Sequence, residues 1–448
     1  HAGNAGIWMS LFGKLASTSP LAASLAQRTG SLLSMVSVRT IGLARWVIHT
    51  SDPVPTEGRD IAEITMDLNL LLEREIHRSP ADWFWVHNRW KLPHPNFLLS
   101  GAKRGIHLPA GTDPSDLHPL RLLVRSPNWL GDACMAAPAI RAIKAGRPDL
   151  HLTILSPSKL APLWREFPQV DHVLEIPPKA SPRKVARIIR NQGPLGRYDA
   201  AILLPNSVRS ALEVWLARIP RRVGRETHRG RRFLNQTMDS VRQLHPTLHQ
   251  AEELLTMVRR LGAPEPGVQP PRTIPPGPLR VGLCPGAEYG PAKRWPVDRY
   301  RAVMERISER HDLTWVIVGT AAEAQIGEEL AKEFPGKVEN LCGKTTLAEL
   351  IAQLKEFHLL LTNDTGTMHL ADLLGVPLVA VFGSTEPDLT GPSGSTTPPH
   401  RILRHKVECS PCFLRTCPID FRCMNELTVE MVTDAVEESL SAVERLKG

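Results

Sequence analysis

The chain has 448 residues, 42% hydrophobic and 22% charged, with 54 Lys and Arg against 46 Asp and Glu for a formal net charge of +8. These proportions are ordinary for a soluble globular protein of two to three domains with ample buried core. The sequence has no run of 18 apolar residues, which excludes a membrane-spanning helix within it. The basic excess suits an anionic partner such as a phosphate or an acidic glycolipid. No nucleic-acid signature accompanies the charge, so no nucleic acid is expected as a partner. The chain opens on His1 rather than Met, and we expect it to be the downstream part of something longer.

Residues 1–92 form a first block of small and Ser/Thr-rich stretches, then a helical pattern, then a tryptophan-rich end. The helix is expected over Ile61 to His77, where Ile64, Leu68, Leu71, Leu72 and Ile76 recur at three- and four-residue spacing, and Ser79-Pro80 stops it. Residues 93–117 carry Pro93, Pro95, Pro109, Pro114, Gly101, Gly105 and Gly111 and read as a linker.

A second block, residues 118–268, opens with the strand Leu120-Arg-Leu-Leu-Val-Arg. Helical Ala139-Ile-Arg-Ala-Ile-Lys follows, then strands at Leu150-His-Leu-Thr-Ile-Leu and Ala200-Ala-Ile-Leu-Leu. After the proline-rich Ala263 to Pro278, a third block over residues 279–448 repeats the pattern. Its strands are Arg280-Val-Gly-Leu-Cys, Thr314-Trp-Val-Ile-Val, His358-Leu-Leu-Leu-Thr and Leu378-Val-Ala-Val-Phe, separated by helices and followed by a final helix from about Thr428. Strands alternating with helices mean α/β architecture, here two doubly wound parallel sheets with a cleft between them. Ligands of such folds lie beyond the carboxyl ends of the strands, so the chemistry belongs in the turns there.

Three such turns carry polar groups. Pro127-Asn-Trp-Leu-Gly-Asp132 leads into a helix; Gly131 permits close backbone approach, and Asp132 either caps that helix or acts as a general base. Cys284 to Pro296 is rich in Gly and Pro, exposes backbone N–H groups and presents Lys293 and Arg294 either to a diphosphate or to solvent. Leu361 to His369 runs from a buried strand into a helix N-terminus, an anion site by construction. There Asp364 orders the loop or binds a sugar hydroxyl, while His369 either reaches a phosphate or is structural. Gly383 to Pro387 is expected to form another wall of this pocket.

Taken in order, Ser126-Pro-Asn-Trp-Leu-Gly-Asp132, Leu204-Pro-Asn-Ser207, Pro285-Gly-Ala-Glu-Tyr-Gly-Pro-Ala-Lys-Arg-Trp-Pro296, Asn363-Asp-Thr-Gly-Thr-Met-His369 and Cys409-Ser-Pro-Cys412 resemble the ADP-heptose:lipopolysaccharide heptosyltransferases of type II, in glycosyltransferase family 9. The resemblance covers about residues 120 to 445. It implies a GT-B fold and an inverting, metal-independent transfer from ADP-heptose to the lipopolysaccharide inner core, by a cytoplasmic protein peripheral to the inner membrane. Carried across by motif, Asp132 would be the base and Lys293 would offset charge on the leaving ADP. The donor would be held by Gly131, Gly286, Arg294, Asp364, Thr365, Gly366 and His369. A second reading is a non-catalytic nucleotide-sugar-binding module.

The first block resembles the C-terminal part of lipid A (lauroyl-type) acyltransferases, through Phe12-Gly-Lys-Leu-Ala-Ser-Thr-Ser-Pro20, Gln27-Arg-Thr-Gly30 and Trp83-Phe-Trp-Val-His-Asn-Arg-Trp-Lys91. That family's catalytic His-x4-Asp/Glu precedes these motifs, so this partial segment is expected to be inactive alone; with an upstream half, the whole would be bifunctional. His77 to Asp82 matches the letters of that motif at a helix end and is read as coincidence. Cys134, Cys284 and Cys342 stand singly in apolar stretches, as reduced buried thiols do. Cys409, Cys412, Cys417 and Cys423 are compatible with a structural zinc site and equally with a reduced loop of packing thiols; no cofactor is required.

Overall fold

The computed structural model describes residues 6–85, 90, 98–99, 105–191, 197–226, 229–239, 245–267, 272–394 and 396–447. Residues 86–89 and 91 of the tryptophan-rich motif, and Pro93, Pro95 and Gly101 of the expected linker, lie outside them.

The first block is built on β1 (Ile7–Leu11) and β2 (Lys14–Thr18), an antiparallel pair. The exposed hairpin of β3 (Val36–Gly42) and β4 (Arg45–Thr50) follows. The first strand carries no alternation in sequence: all five β1 residues are buried, which removes the period-two signal. The expected helix forms over Ile61–Arg78, with the Asp60 carboxylate accepting from the Ala62 amide. It packs Ala62 and Met66 against Ile7 and Met9, and Asn69 Nδ2 donates to the Ser10 carbonyl at 2.6 Å. The block docks on its neighbour through Lys14–Asp199 at 3.2 Å and through the Arg147 guanidinium, 4.9 Å from the Trp8 ring centre. Part of the stretch read as linker joins in: β5 (Ile106–His107) pairs parallel with β1, and Leu98 and Leu99 are fully buried.

The next sheet contains β6 (Leu120–Arg125), β7 (Leu150–Pro157), β8 (His172–Ile176), β9 (Ala200–Leu203), β10 (Arg221–Arg225) and β11 (Gln236–Met238). Its order is β11-β10-β9-β6-β7-β8, all parallel. The last sheet contains β12 (Leu279–Cys284), β13 (Leu313–Ile317), β14 (Val338–Asn340), β15 (Leu359–Asn363), β16 (Leu378–Phe382) and β17 (Arg401–Arg404). It runs β14-β13-β12-β15-β16-β17, again all parallel. The two orders are the same when one is reversed. In each, chain direction across the sheet changes beside the first strand, between β6 and β9 and between β12 and β15. A crevice opens at such a reversal because the flanking loops leave to opposite faces.

The central strands are mostly apolar because helices cover both faces. Leu122 and Val124 pack beneath the helices Ala137–Ala145 and Gln250–Arg260, while Leu123 faces Leu155 and Leu203 on the other side. In the last sheet Val281 and Leu283 pack with Trp315 and Leu361, closed over by Val432, Val436 and Leu440 of the final helix Val429–Lys447. The expected GT-B architecture, two doubly wound halves, is present.

Candidate functional site

The first reversal point holds Asp132. Arg125, ending β6, is almost buried and pairs with the buried Glu213 at 3.2 Å. Its remaining nitrogens donate to the Ser126 carbonyl and, at 2.9 Å, to Asn128 Oδ1, which fixes the turn. The chain then enters the helix Leu130–Met135 from an extended Trp129 without any side-chain cap. Asp132 lies in its first turn, yet its carboxylate accepts a hydrogen bond from Gln250 Nε2 at the start of the helix Gln250–Arg260. Beside it, Trp129 is 55% exposed, with Lys159 Nζ 5.0 Å from its ring centre.

The second reversal point brings together two of the expected turns, and Asn363 joins them. At the end of β15 its fully buried amide donates to the carbonyls of Pro285 and Gly286 at 2.7 and 3.2 Å. Its oxygen accepts from the Trp295 amide at 3.0 Å and the Tyr300 hydroxyl at 2.8 Å. The side chain's hydrogen-bonding capacity is spent on holding the Cys284–Pro296 loop, and through Tyr300 the helix after it, against β15. Arg294 donates to the Ala287 carbonyl at 3.1 Å and so braces the same loop from inside. Gly286 is required by a close approach: a Cβ there would overlap the Glu323 carboxylate.

Lys293 Nζ pairs with Asp364 at 2.5 Å and lies 4.8 Å from the centre of the Tyr289 ring. Asp364 also accepts from Thr385 Oγ1 at 2.7 Å, so the turn after β16 reaches the same place, as expected. Asp364 therefore orders the loop by holding Lys293 and Thr385. Thr365 caps the helix Gly366–Leu373, its hydroxyl accepting from the Met368 amide at 3.2 Å.

The two reversal points meet. A Cβ on Gly131 would come within 2.8 Å of His369 Cδ2, and one on Gly366 within 3.1 Å of Leu130 Cβ. The helices Leu130–Met135 and Gly366–Leu373 thus face each other start to start because glycine stands at both contacts. His369 is buried between them, and burial pushes its imidazole below the usual histidine value. Asp364, Asp372 and Asp132 pull the other way, whereas Lys293 adds to the downward shift.

Sequence reasoning missed Gln250, Asn363's hub role and Glu323. Gln250 sits 118 residues from its partner in an unremarkable helix start. Glu323 closes the capping box of Thr320-Ala-Ala-Glu323, a signal shared by many helices.

Cys409, Cys412, Cys417 and Cys423 line one small cavity with Ala292 and Ser384. Among the described residues, however, no three His, Cys, Asp or Glu side chains are grouped so as to hold a metal ion. The four-thiolate zinc site is not formed in this geometry. The loop has another connection: the Arg415 carbonyl accepts from the Ala292 amide at 3.0 Å, and the Phe413 carbonyl accepts from the Tyr289 hydroxyl at 2.7 Å. The cysteine loop therefore braces the loop that carries Lys293.

The profile of glycosyltransferase family 9 (heptosyltransferase) matches residues 183–421, and that of the bacterial lipid A biosynthesis acyltransferases matches residues 1–92. The chain is 30% identical over 321 residues to the lipopolysaccharide heptosyltransferase 2 of Salmonella typhimurium, covering 64% of this chain and 90% of that one. It is 27% identical over 328 residues to the lipooligosaccharide heptosyltransferase 2 of Campylobacter jejuni, covering 71% and 99%. The solved structure of the ADP-heptose lipopolysaccharide heptosyltransferase II of E. coli superposes with a TM-score of 0.60 at 26% identity, over 72% of this chain and 99% of that one. With a family profile spanning more than half of the residues, the chain belongs to glycosyltransferase family 9, the heptosyltransferases.

Proposed function

We propose that the chain transfers heptose from ADP-heptose to the inner core of lipopolysaccharide, with inversion at the anomeric carbon. The observation that carries this is the meeting of Asp132's helix with the Asp364–His369 helix start across the two halves. An acceptor hydroxyl beside Asp132 and a donor on the facing loop would then share one small space.

Asp132 is the proposed base. Gln250 occupies its Oδ1, which leaves Oδ2 to take the proton from the attacking hydroxyl. As the new carbon–oxygen bond forms, the bond from the anomeric carbon to the phosphate oxygen breaks and its electron pair leaves with ADP. Lys293 and the free amides at the start of the helix Gly366–Leu373 meet that charge. Gly286 and Gly131 supply close backbone approach, Thr365 orders the helix start, and Arg294 acts through the loop it braces. His369, neutral in its buried setting, walls the space between Asp132 and the donor loop.

Residues 1–92 would be an acyltransferase-like piece inactive by itself, joined to a transferase working at the cytoplasmic face of the inner membrane. The deciding experiment incubates purified protein with ADP-heptose and a heptosylated inner-core acceptor. Transfer with inversion is expected, and Asp132→Asn should remove nearly all of it while changing donor affinity less than about twofold. Donor binding without transfer to any acceptor would instead make the chain a non-catalytic nucleotide-sugar module.

A further inference from the structure

On the flank of the helix pair lies a cavity of about 130 Å³ that shares His369 with the reaction space but contains neither Asp132 nor Lys293. One wall comes from the first half, through Cys134, Met135 and Arg141; the other comes from the second, through His369, Asp372 and the Ser393–Gly394 corner.

Arg141, on the helix Ala137–Ala145, is the unusual member. Its Nε and Nη1 are buried and have no hydrogen-bond partner, and it makes no ion pair among the described residues. Burial alone lowers its basicity, with no carboxylate acting against that effect. Arg141 is half-buried, and two of its three guanidinium nitrogens are shut off from water without an acceptor, which favours an anion that can complete them. Asp372, in the same cavity, is already engaged. Its Oδ1 accepts from His400 Nε2 at 2.9 Å and the Gly394 amide at 2.9 Å, and its Oδ2 accepts from the Ser393 amide at 3.0 Å. Asp372 therefore fixes the opposite wall. Cys134 is fully buried in character and stays a neutral thiol, so it adds no repulsion.

We propose that this cavity is an oxyanion subsite, in which Arg141 binds a phosphate or carboxylate group lodged between the two halves. The planar fork of the guanidinium matches two oxygens of either group, and an anion seated there would tie the halves together. The group is either free in solution or carried by an acidic saccharide acceptor; the second source rests on the transfer reaction proposed above.

The test uses the full chain in the Lys293→Ala background, so that the donor loop cannot account for phosphate binding. Thermal unfolding is followed against inorganic phosphate, with chloride at matched ionic strength as the control. Phosphate should raise the midpoint, and Arg141→Gln should weaken the apparent phosphate affinity about tenfold or more. Arg141→Met, which has no donor for an oxyanion, should gain nothing from phosphate. In the wild-type background, Arg141→Gln is assayed for the KM of acceptor and of ADP-heptose. A raised acceptor KM with the donor KM unmoved assigns the anion to the acceptor, whereas a phosphate effect with both KM values unmoved assigns it to a free anion. The subsite is overturned if folded Arg141→Gln keeps both the phosphate response and the acceptor KM of its parent. Failure of transfer altogether would count against the proposed reaction but leave the phosphate measurement standing.

Discussion

Gln250 Nε2 donates a hydrogen bond to Asp132 Oδ1, joining two helix starts that lie 118 residues apart. The residue before it, His249, reaches the other way. Its Nδ1 accepts from the Ala251 amide at 3.2 Å, so its Nε2 carries the proton and donates to the Gly391 carbonyl of the second half at 3.0 Å. One helix start thus touches both the proposed base and the opposite half. Gln250 acts as a positioning residue. Gln250→Ala should lower kcat about 10- to 100-fold with donor affinity kept, because a base that swings off line loses its near-attack geometry. Gln250→Glu sets a negative charge against Asp132 and should move the acidic limb of the kcat/KM profile to higher pH. An unshifted limb with full activity in both variants would remove Gln250 from the mechanism.

Lys293 and Asp364 make an opposed pair of expectations. Lys293→Ala removes the cation assigned to the leaving diphosphate and should lower kcat about 100- to 1000-fold. Lys293 and Thr385 share Asp364 Oδ2, so Asp364→Asn keeps an acceptor there but removes the charge that holds Lys293; ADP should bind more tightly and product release should slow. Isothermal titration with ADP, alongside single- and multiple-turnover rates, separates the two effects. Equal ADP affinity in all three proteins would show that Lys293 does not meet the nucleotide.

Asn363 holds the Cys284–Pro296 loop with three hydrogen bonds and the helix Val297–Ser308 with a fourth, through Tyr300, each to a group removed from water. Asn363→Ala strands several of those partners and should cost about 2–4 kcal/mol of stability. Denaturant unfolding measures this. Asn363→Asp should be no milder, since its carboxylate oxygens would face the Pro285 and Gly286 carbonyls. A loss below about 0.5 kcal/mol would mean that the loop is held by other means.

His369 gives stability a sign with pH. Burial holds its imidazole below the ordinary value, so the unfolded chain takes up a proton near pH 6.5 while the folded chain resists to lower pH. Between those two values the unfolded state binds more protons, and stability rises with pH. The contribution is therefore complete above about pH 6.5 and is lost as pH falls below it. His369→Gln should flatten this part of the stability curve between about pH 5 and 7. An unchanged slope would mean that His369 titrates alike in both states.

The sequence by itself determined the layered pattern. Mostly apolar strands such as Leu120–Arg125 and Leu359–Leu361, spaced by helices, dictate doubly wound halves, because such strands are soluble only with both faces covered. It also determined which turns are polar and which glycines stand in them. The resemblance then supplied the choice of Asp132 over a plain helix cap. Tertiary structure decided which turns meet. Gly131 against His369, Gln250 on Asp132 and Asn363 under the Gly286 loop are pairings across 77 to 238 residues, and no local periodicity encodes them. It decided as well that Lys293 rests on Asp364, and that Arg141, unexceptional on a helix face, faces a cavity without an acceptor. The physical reason is range. Propensity and hydrophobic period act within a turn or a strand, whereas a base, a bound cation and an unpaired charge are defined by partners that only packing brings near.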